Sequence, residues 1–135
     1  MNIDHVLLAI PPGSEDEARA FFVGLLGMVE EEKPPGLQNR HGCWFRLGAC
    51  KVHVGVDVDF RPQRKAHPAF VVDEIDRLGD RLSESGHEVV WDGAIPGSRR
   101  FFSADPFGNR IEFLENPIAP TPPRRTEPVN RKQHG

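Results

Sequence analysis

The sequence predicts an α+β domain built from two βαβββ modules. Three observations carry that prediction. Short runs alternate apolar and polar residues with period two, an amphipathic helix follows the first run of each half, and the order of elements occurs twice. The clearest stretch is Arg99 to Glu115, RRFFSADPFGNRIEFLE, which reads as one β-hairpin. Asp105-Pro106-Phe107-Gly108-Asn109 supplies the turn, with Pro fixing φ and Gly allowing positive φ. Arg110 to Glu115 is the returning strand, with Ile111 and Phe113 on one face and Arg110, Glu112 and Leu114 on the other.

In chain order, Met1 to Ile10 reads as a strand with Val6, Leu8 and Ile10 on one face and Ile3, His5 and Leu7 on the other. Pro11-Pro12-Gly13 stops it. Ser14 to Glu17 has the pattern of a capping box, in which the Ser hydroxyl accepts a first-turn N–H and the Glu reaches back. Ala18, Phe21, Phe22 and Leu25 form one apolar helical stripe, and Gly27 ends the helix. Met28 to Glu32 is a short strand, and Lys33 to Gly42 a polar loop. Cys43 to Leu47 and Lys51 to Val56 are strands joined at Gly48-Ala49-Cys50. Val52, Val54 and Val56 share one face and His53 points to the other.

Asp57 to Lys65 is polar and reads as the linker between module one (residues 1–57) and module two (66–116). Ala66 to Val72 is a strand. Asp73 is the expected cap of a second helix with Ile75, Leu78 and Leu82 on its stripe and Gly86 at its end. Glu88 to Trp91 is a short strand and Asp92 to Ser98 a Gly/Pro loop leading into the hairpin. Residues 117–135, rich in proline and poor in apolar residues, are expected to form a disordered tail.

The bulk numbers exclude several classes. At 135 residues the chain suffices for one domain with a real core. A net charge of −3 argues against a nucleic-acid or anionic-membrane surface. No apolar run is long enough to cross a bilayer, and the first residues lack a basic segment and cleavage site, so a cytoplasmic protein is expected. Cys43 and Cys50 read as two lone thiols in a reducing compartment, not as a disulfide or zinc ribbon.

The repeat aligns the polar residues. His67 follows His5 by 62 residues, Gly86 follows Gly27 by 59, and Glu112 follows His53 by 59. Two such modules, each a curved sheet with its helix outside, enclose a cleft when their sheets meet. His5 and His67 then hold equivalent places in the opening strands, and His53 and Glu112 in the closing ones. A lone strand histidine is more often a packed or surface residue than a ligand. A set that respects the repeat is different, and imidazole nitrogens with a carboxylate suit Zn, Ni, Mn, Co or Fe(II). Glu112, a carboxylate in mid-strand between bulky neighbours, needs a proton, a cation or a metal once desolvated.

The stretches DHVLLAI, FFVGLLGM, AHPAFVVDEID and DPFGNRIEFLE resemble the vicinal oxygen chelate superfamily, which includes glyoxalase I, extradiol dioxygenases, fosfomycin resistance enzymes and bleomycin resistance proteins. The resemblance runs from Asn2 to Asn116 and implies a glyoxalase-like fold. It implies His5, His53, His67 and Glu112 as metal ligands, and a homodimer in which one site takes His5 and His53 from one subunit and His67 and Glu112 from the other. His53 stands where glyoxalase I usually has glutamate, and AIPGSRR lacks the serine/glycine cation loop of fosfomycin enzymes. The function this implies is a divalent-metal-dependent lyase, isomerase or transferase. It would chelate vicinal oxygens of a small substrate and stabilise an oxyanion or enediolate. Glu112 or His53 would move a proton, Arg46 and Arg100 (with Arg99 beside it) would hold an anionic group, and Trp44 and Phe102 (with Trp91) would wall an apolar pocket. The rival from another class is a metal-free, bleomycin-resistance-like protein that sequesters a small molecule. An Fe(II) extradiol dioxygenase ranks lower, because such enzymes usually need more modules.

Overall fold

The computed structural model describes residues 1–117, so the tail expected at 117–135 lies outside the described residues except for Pro117. Eight strands form two four-stranded sheets. The first is ordered β1 (Val6–Ile10), β4 (Cys50–Val56), β3 (Cys43–Leu47), β2 (Val29–Glu31). The second is ordered β5 (Ala69–Val72), β8 (Arg110–Glu115), β7 (Arg100–Ala104), β6 (Val90–Asp92). In each sheet the opening strand lies parallel to the closing one, and the other pairs are antiparallel. This is the α+β glyoxalase-like fold that the sequence predicts, with neither sheet closed into a barrel.

Both opening strands are shorter than expected. β1 begins at Val6, where its ladder with β4 begins at Val6↔Val52. β5 begins at Ala69 because Pro68 has no N–H to give, although its carbonyl accepts the Glu112 N–H at 3.0 Å. His5 and His67 therefore stand just ahead of their strands.

The first helix starts as α1 (Glu15–Arg19) and widens into a π-helical segment, Ala20–Leu25. The wider turn keeps Phe21 and Phe22 both buried, edge to face, with Phe22 stacked on Phe45. Helix α2 (Ile75–Glu84) buries Ile75, Leu78 and Leu82. Its Gly79 leaves room for the rings of Trp91 and Phe101. These residues and the inner faces of both sheets make one core cluster.

The two expected caps form differently. The Ser14 hydroxyl donates to the Pro11 carbonyl at 2.6 Å and caps no helical N–H. The tight Pro11-Pro12-Gly13 turn brings that acceptor closer than the helix. At α2 the N-cap is Glu74, and the Asp73 carboxylate instead accepts a bond from the Asn116 side chain at 2.9 Å.

The halves are joined by a buried amide. Asn109, 1% exposed, donates to the Ala9 carbonyl of β1 and to Asp105, and its Oδ1 accepts the Gln63 N–H of the linker. The Arg110 N–H donates to the Gln63 carbonyl at 2.8 Å. Gly108, at φ +91°, is the close neighbour of Pro62. The linker is thereby fastened along the start of β8. Asn109→Ala would leave the Gln63 N–H, the Ala9 carbonyl and Asp105 Oδ2 without this partner, while Asp105 Oδ1 keeps the Phe107 and residue-109 N–H groups. Urea unfolding of that variant should show a loss of about 2–4 kcal/mol, since each orphaned buried group costs about 1–3 kcal/mol.

Candidate functional site

The core takes one face of each sheet, through Val52 and Val54 of β4 and Ile111 and Phe113 of β8. Alternation along the strands turns His53 and Glu112 to the opposite face. Each is nonetheless 8% exposed, because polar and aromatic neighbours close over it.

On the second sheet, His67 Nε2 lies 3.3 Å from Glu112 Oε1. His67 Nδ1 lies 2.8 Å from the Lys65 carbonyl oxygen. A carbonyl only accepts, so Nδ1 carries the proton. A neutral His67 then points the bare lone pair of Nε2 at a carboxylate oxygen. Two electron-rich atoms so placed need a cation between them, either a proton on Nε2 or a metal ion. The separation also suits two ligands of one ion, since donors at about 2.1 Å in tetrahedral arrangement lie roughly 3.4 Å apart. An outer partner that fixes the tautomer is how ligand histidines are commonly oriented. Arg100 flanks the same oxygen, with Nη1 at 3.5 Å, and pairs with Asp92 through Nη2 at 3.2 Å. The ring of Phe102 meets the His67 imidazole edge to face.

On the first sheet the imidazoles stack. His53 lies between Trp44, at 4.1 Å between ring centres, and His5, at 4.0 Å. Burial pushes the His53 pKa below its ordinary value, and the neighbouring His5 pushes it the same way. His5 Nδ1 faces the Asp4 carboxylate at 2.9 Å, which leaves Nε2 open. The bond to His5, aided by Lys51, holds the Asp4 carboxyl below its usual range.

The expected ligands thus come together as two pairs, His67 with Glu112 and His5 with His53. Their convergence on one point is not formed within one chain: among the described residues, no group of three or more His, Cys, Asp or Glu side chains is placed to hold an ion. The reason is topological. Each pair belongs to its own half, one member on β4 or β8 and the other just ahead of the parallel strand, β1 or β5. His5 and His67 do line one cavity of about 420 Å³, together with Asp4 and Lys51.

The remaining candidates divide. Arg100 and Phe102 border the His67–Glu112 pair, and Trp44 borders His53. Arg46 is paired with Glu31 at the edge of the first sheet. Arg99 forms a two-bond pair with Asp76 at 2.7 Å and lies over Trp91. Cys43 and Cys50 are free thiols, Cys43 buried with its pKa raised by desolvation to about 11. Sequence reasoning missed Asp4, the partner of His5, for which the adjacent Asp-His pair was the available signal. It also missed Arg64 and Arg110, which line a cavity beside Phe102.

Comparison with known proteins gives a consistent picture. The family model described as Glyoxalase/Bleomycin resistance protein/Dioxygenase superfamily matches residues 2–113. No curated protein gives a significant match. Among solved structures, a glyoxalase family protein from Bacillus anthracis is 50% identical, with a TM-score of 0.81, covering 86% of this chain and 95% of that one. The fosfomycin resistance protein FosX from Listeria monocytogenes is 15% identical, with a TM-score of 0.70, covering 86% and 93%. Lactoylglutathione lyase from Agrobacterium tumefaciens is 21% identical, with a TM-score of 0.63, covering 84% and 93%. The last two likenesses establish the fold alone.

The His53 shift has a signed consequence for chelator-treated protein. The unfolded chain takes up the proton near pH 6.5 while the folded chain resists it, so stability is full above that pH and declines as pH falls below it. His53→Phe should flatten this part of the profile in urea melts run from about pH 5 to 8. An unchanged slope would exclude His53 as its source.

Proposed function

Since the chain belongs to the Glyoxalase/Bleomycin resistance protein/Dioxygenase superfamily, we propose that it is a divalent-metal-dependent enzyme of lyase, isomerase or transferase type. Its substrate is a small molecule with two adjacent oxygens. The observation that carries this reading is the contact of His67 Nε2 with Glu112 Oε1, made while Nδ1 is committed to the Lys65 carbonyl. That donor pair fits Zn, Ni, Mn, Co or Fe(II).

His5 is the third proposed ligand. In a homodimer, the partner subunit's His5 would complete the pair that His67 and Glu112 make in one chain. When bound, the ion would supply Lewis acidity to a developing oxyanion, an effect worth several kcal/mol of barrier.

The chain's own residues do the rest. Lys65 and Asp4 hold the two imidazoles in the tautomer that leaves Nε2 outward. Arg100 lies against Glu112 Oε1 and adds positive charge where negative charge would accumulate. His53, kept neutral by burial, is the candidate base, and Glu112 the alternative proton carrier. Trp44 covers the buried His53 imidazole, and Phe102 sets its ring edge against His67. The free thiols Cys43 and Cys50 accord with a cytoplasmic setting.

Metal analysis of protein purified without a chelating column tests the reading. About one first-row ion per subunit is expected, with His67→Ala or Glu112→Ala losing it. Wild-type protein that holds no metal yet sequesters aromatic or peptide-like molecules would overturn the enzyme reading in favour of a binding module.

Chelation should lower the melting temperature by a few degrees and leave the fold intact, because the core is apolar and independent of the site. Complete unfolding, followed by circular dichroism, would mark the ion as structural instead.

A further inference from the structure

Beside the His67–Glu112 pair lies a second cavity, of about 290 Å³, on the same face of the second sheet. Arg64, Arg110, Phe102 and Glu88 line it. Phe102 is common to both places: its ring edge meets His67, and its backbone is the register partner of Glu112. Arg110 precedes Glu112 by two residues on β8, so it projects from the same face about 6–7 Å further along the strand. The Arg110 guanidinium lies over the Phe102 ring at 4.1 Å. Arg64 is brought alongside by the linker, whose Gln63 carbonyl accepts the Arg110 N–H.

What sets this corner apart is that two unpaired guanidinium groups line one cavity; Arg40, Arg61 and Arg81 are also without an ion pair among the described residues but do not line it. Arg19, Arg46, Arg77, Arg99 and Arg100 each have a carboxylate partner. Arg64 and Arg110 form no ion pair with any described residue, although Glu88 lines the same cavity. Two guanidinium groups left without anions share a concave surface with an aromatic floor, next to a candidate reacting centre. Arg is the side chain suited to planar, two-bond recognition of carboxylate and phosphate.

We propose that Arg64 and Arg110, above Phe102, form an anion subsite, and that the substrate of the neighbouring centre carries an oxyanion group, carboxylate or phosphate, at the end remote from its reacting oxygens. The assignment of the substrate rests on the enzyme reading above; the binding of an anion here does not. The short span from Glu112 to Arg110 fits a compact acid. Glu88 at the rim selects against a second negative charge on that side.

The test uses the full chain, chelator-treated so that no ion competes for the probe. Inorganic phosphate and succinate are titrated in turn, and binding is read by calorimetry. Wild-type protein should bind at least one of them, more weakly as salt rises. The double variant Arg64→Gln/Arg110→Gln should weaken binding about tenfold or more. Arg110→Lys should fall between, because a point charge lacks the guanidinium fork. Arg77→Gln, which removes a paired guanidinium on α2, should change nothing. Preference for phosphate would assign a phosphoryl-bearing substrate, and preference for succinate a carboxylate-bearing one.

Absence of binding by wild-type protein, or binding by the double variant as tight as that of wild-type protein, overturns the subsite. Metal content measured on the same preparations before chelation separates the two readings. Protein that binds phosphate through the arginines but copurifies without metal retains the subsite and removes the metal enzyme. Protein that copurifies with metal but ignores both anions does the reverse.

Discussion

The buried amide of Asn109 is the constraint on which the arrangement of this chain depends. One side chain bonds β1 of the first sheet, the linker, and the turn between β7 and β8. Hydrophobic contact alone would hold the two helices and the two inner sheet faces together, but it is nondirectional and tolerates sliding. A fully buried amide with its donors and acceptor engaged tolerates none, because every displacement leaves a polar group dry and unpaired. The linker therefore runs along the start of β8 in a single register.

From that register follows the chemistry. With the Gln63 carbonyl bound to the Arg110 N–H and the Pro68 carbonyl to the Glu112 N–H, the intervening residues must arch over the strand. The arch carries Arg64 beside Arg110 and sets the Lys65 carbonyl under His67 Nδ1. The first sheet orients its imidazole by other means, with the Asp4 carboxylate in the role that a main-chain oxygen plays in the second. The sequence repeat thus places like residues at like positions, while the groups that set their tautomers differ. Glu112 is bordered by His67, Arg100 and Phe102, and His53 by two flat rings. One half sets its buried residue beside charged side chains and the other sets it in a stack of flat rings.

Much of the fold was legible because it is written in local patterns. DPFGN between two alternating runs specified the β7–β8 hairpin, and β8 spans Arg110 to Glu115 as read. The apolar stripes of both helices were legible for the same reason. The strand starts were not, because they depend on where a partner's ladder begins, which no local pattern records. The Ser14 cap misled because its hydroxyl had a nearer acceptor in the preceding turn. Of the site, the contact of His67 with Glu112 was visible through the repeat. The grouping of His5 with His53 and of His67 with Glu112 came from the family resemblance and not from the offsets, which say nothing of the distance between sheets. Arg64 was passed over because a polar stretch with a proline reads as spacer, and only its backbone bonds to β8 reveal otherwise.

The arch between the halves has a consequence for how such chains diversify. A connector that supplies a tautomer-setting carbonyl cannot be lengthened or trimmed like an ordinary tether. Duplicated units are often free to be shuffled and respliced at their junction. Here a splice at residues 63 to 68 would cut through these contacts, whereas a change of length in the loops at 33–42 and 92–98 would leave them in place.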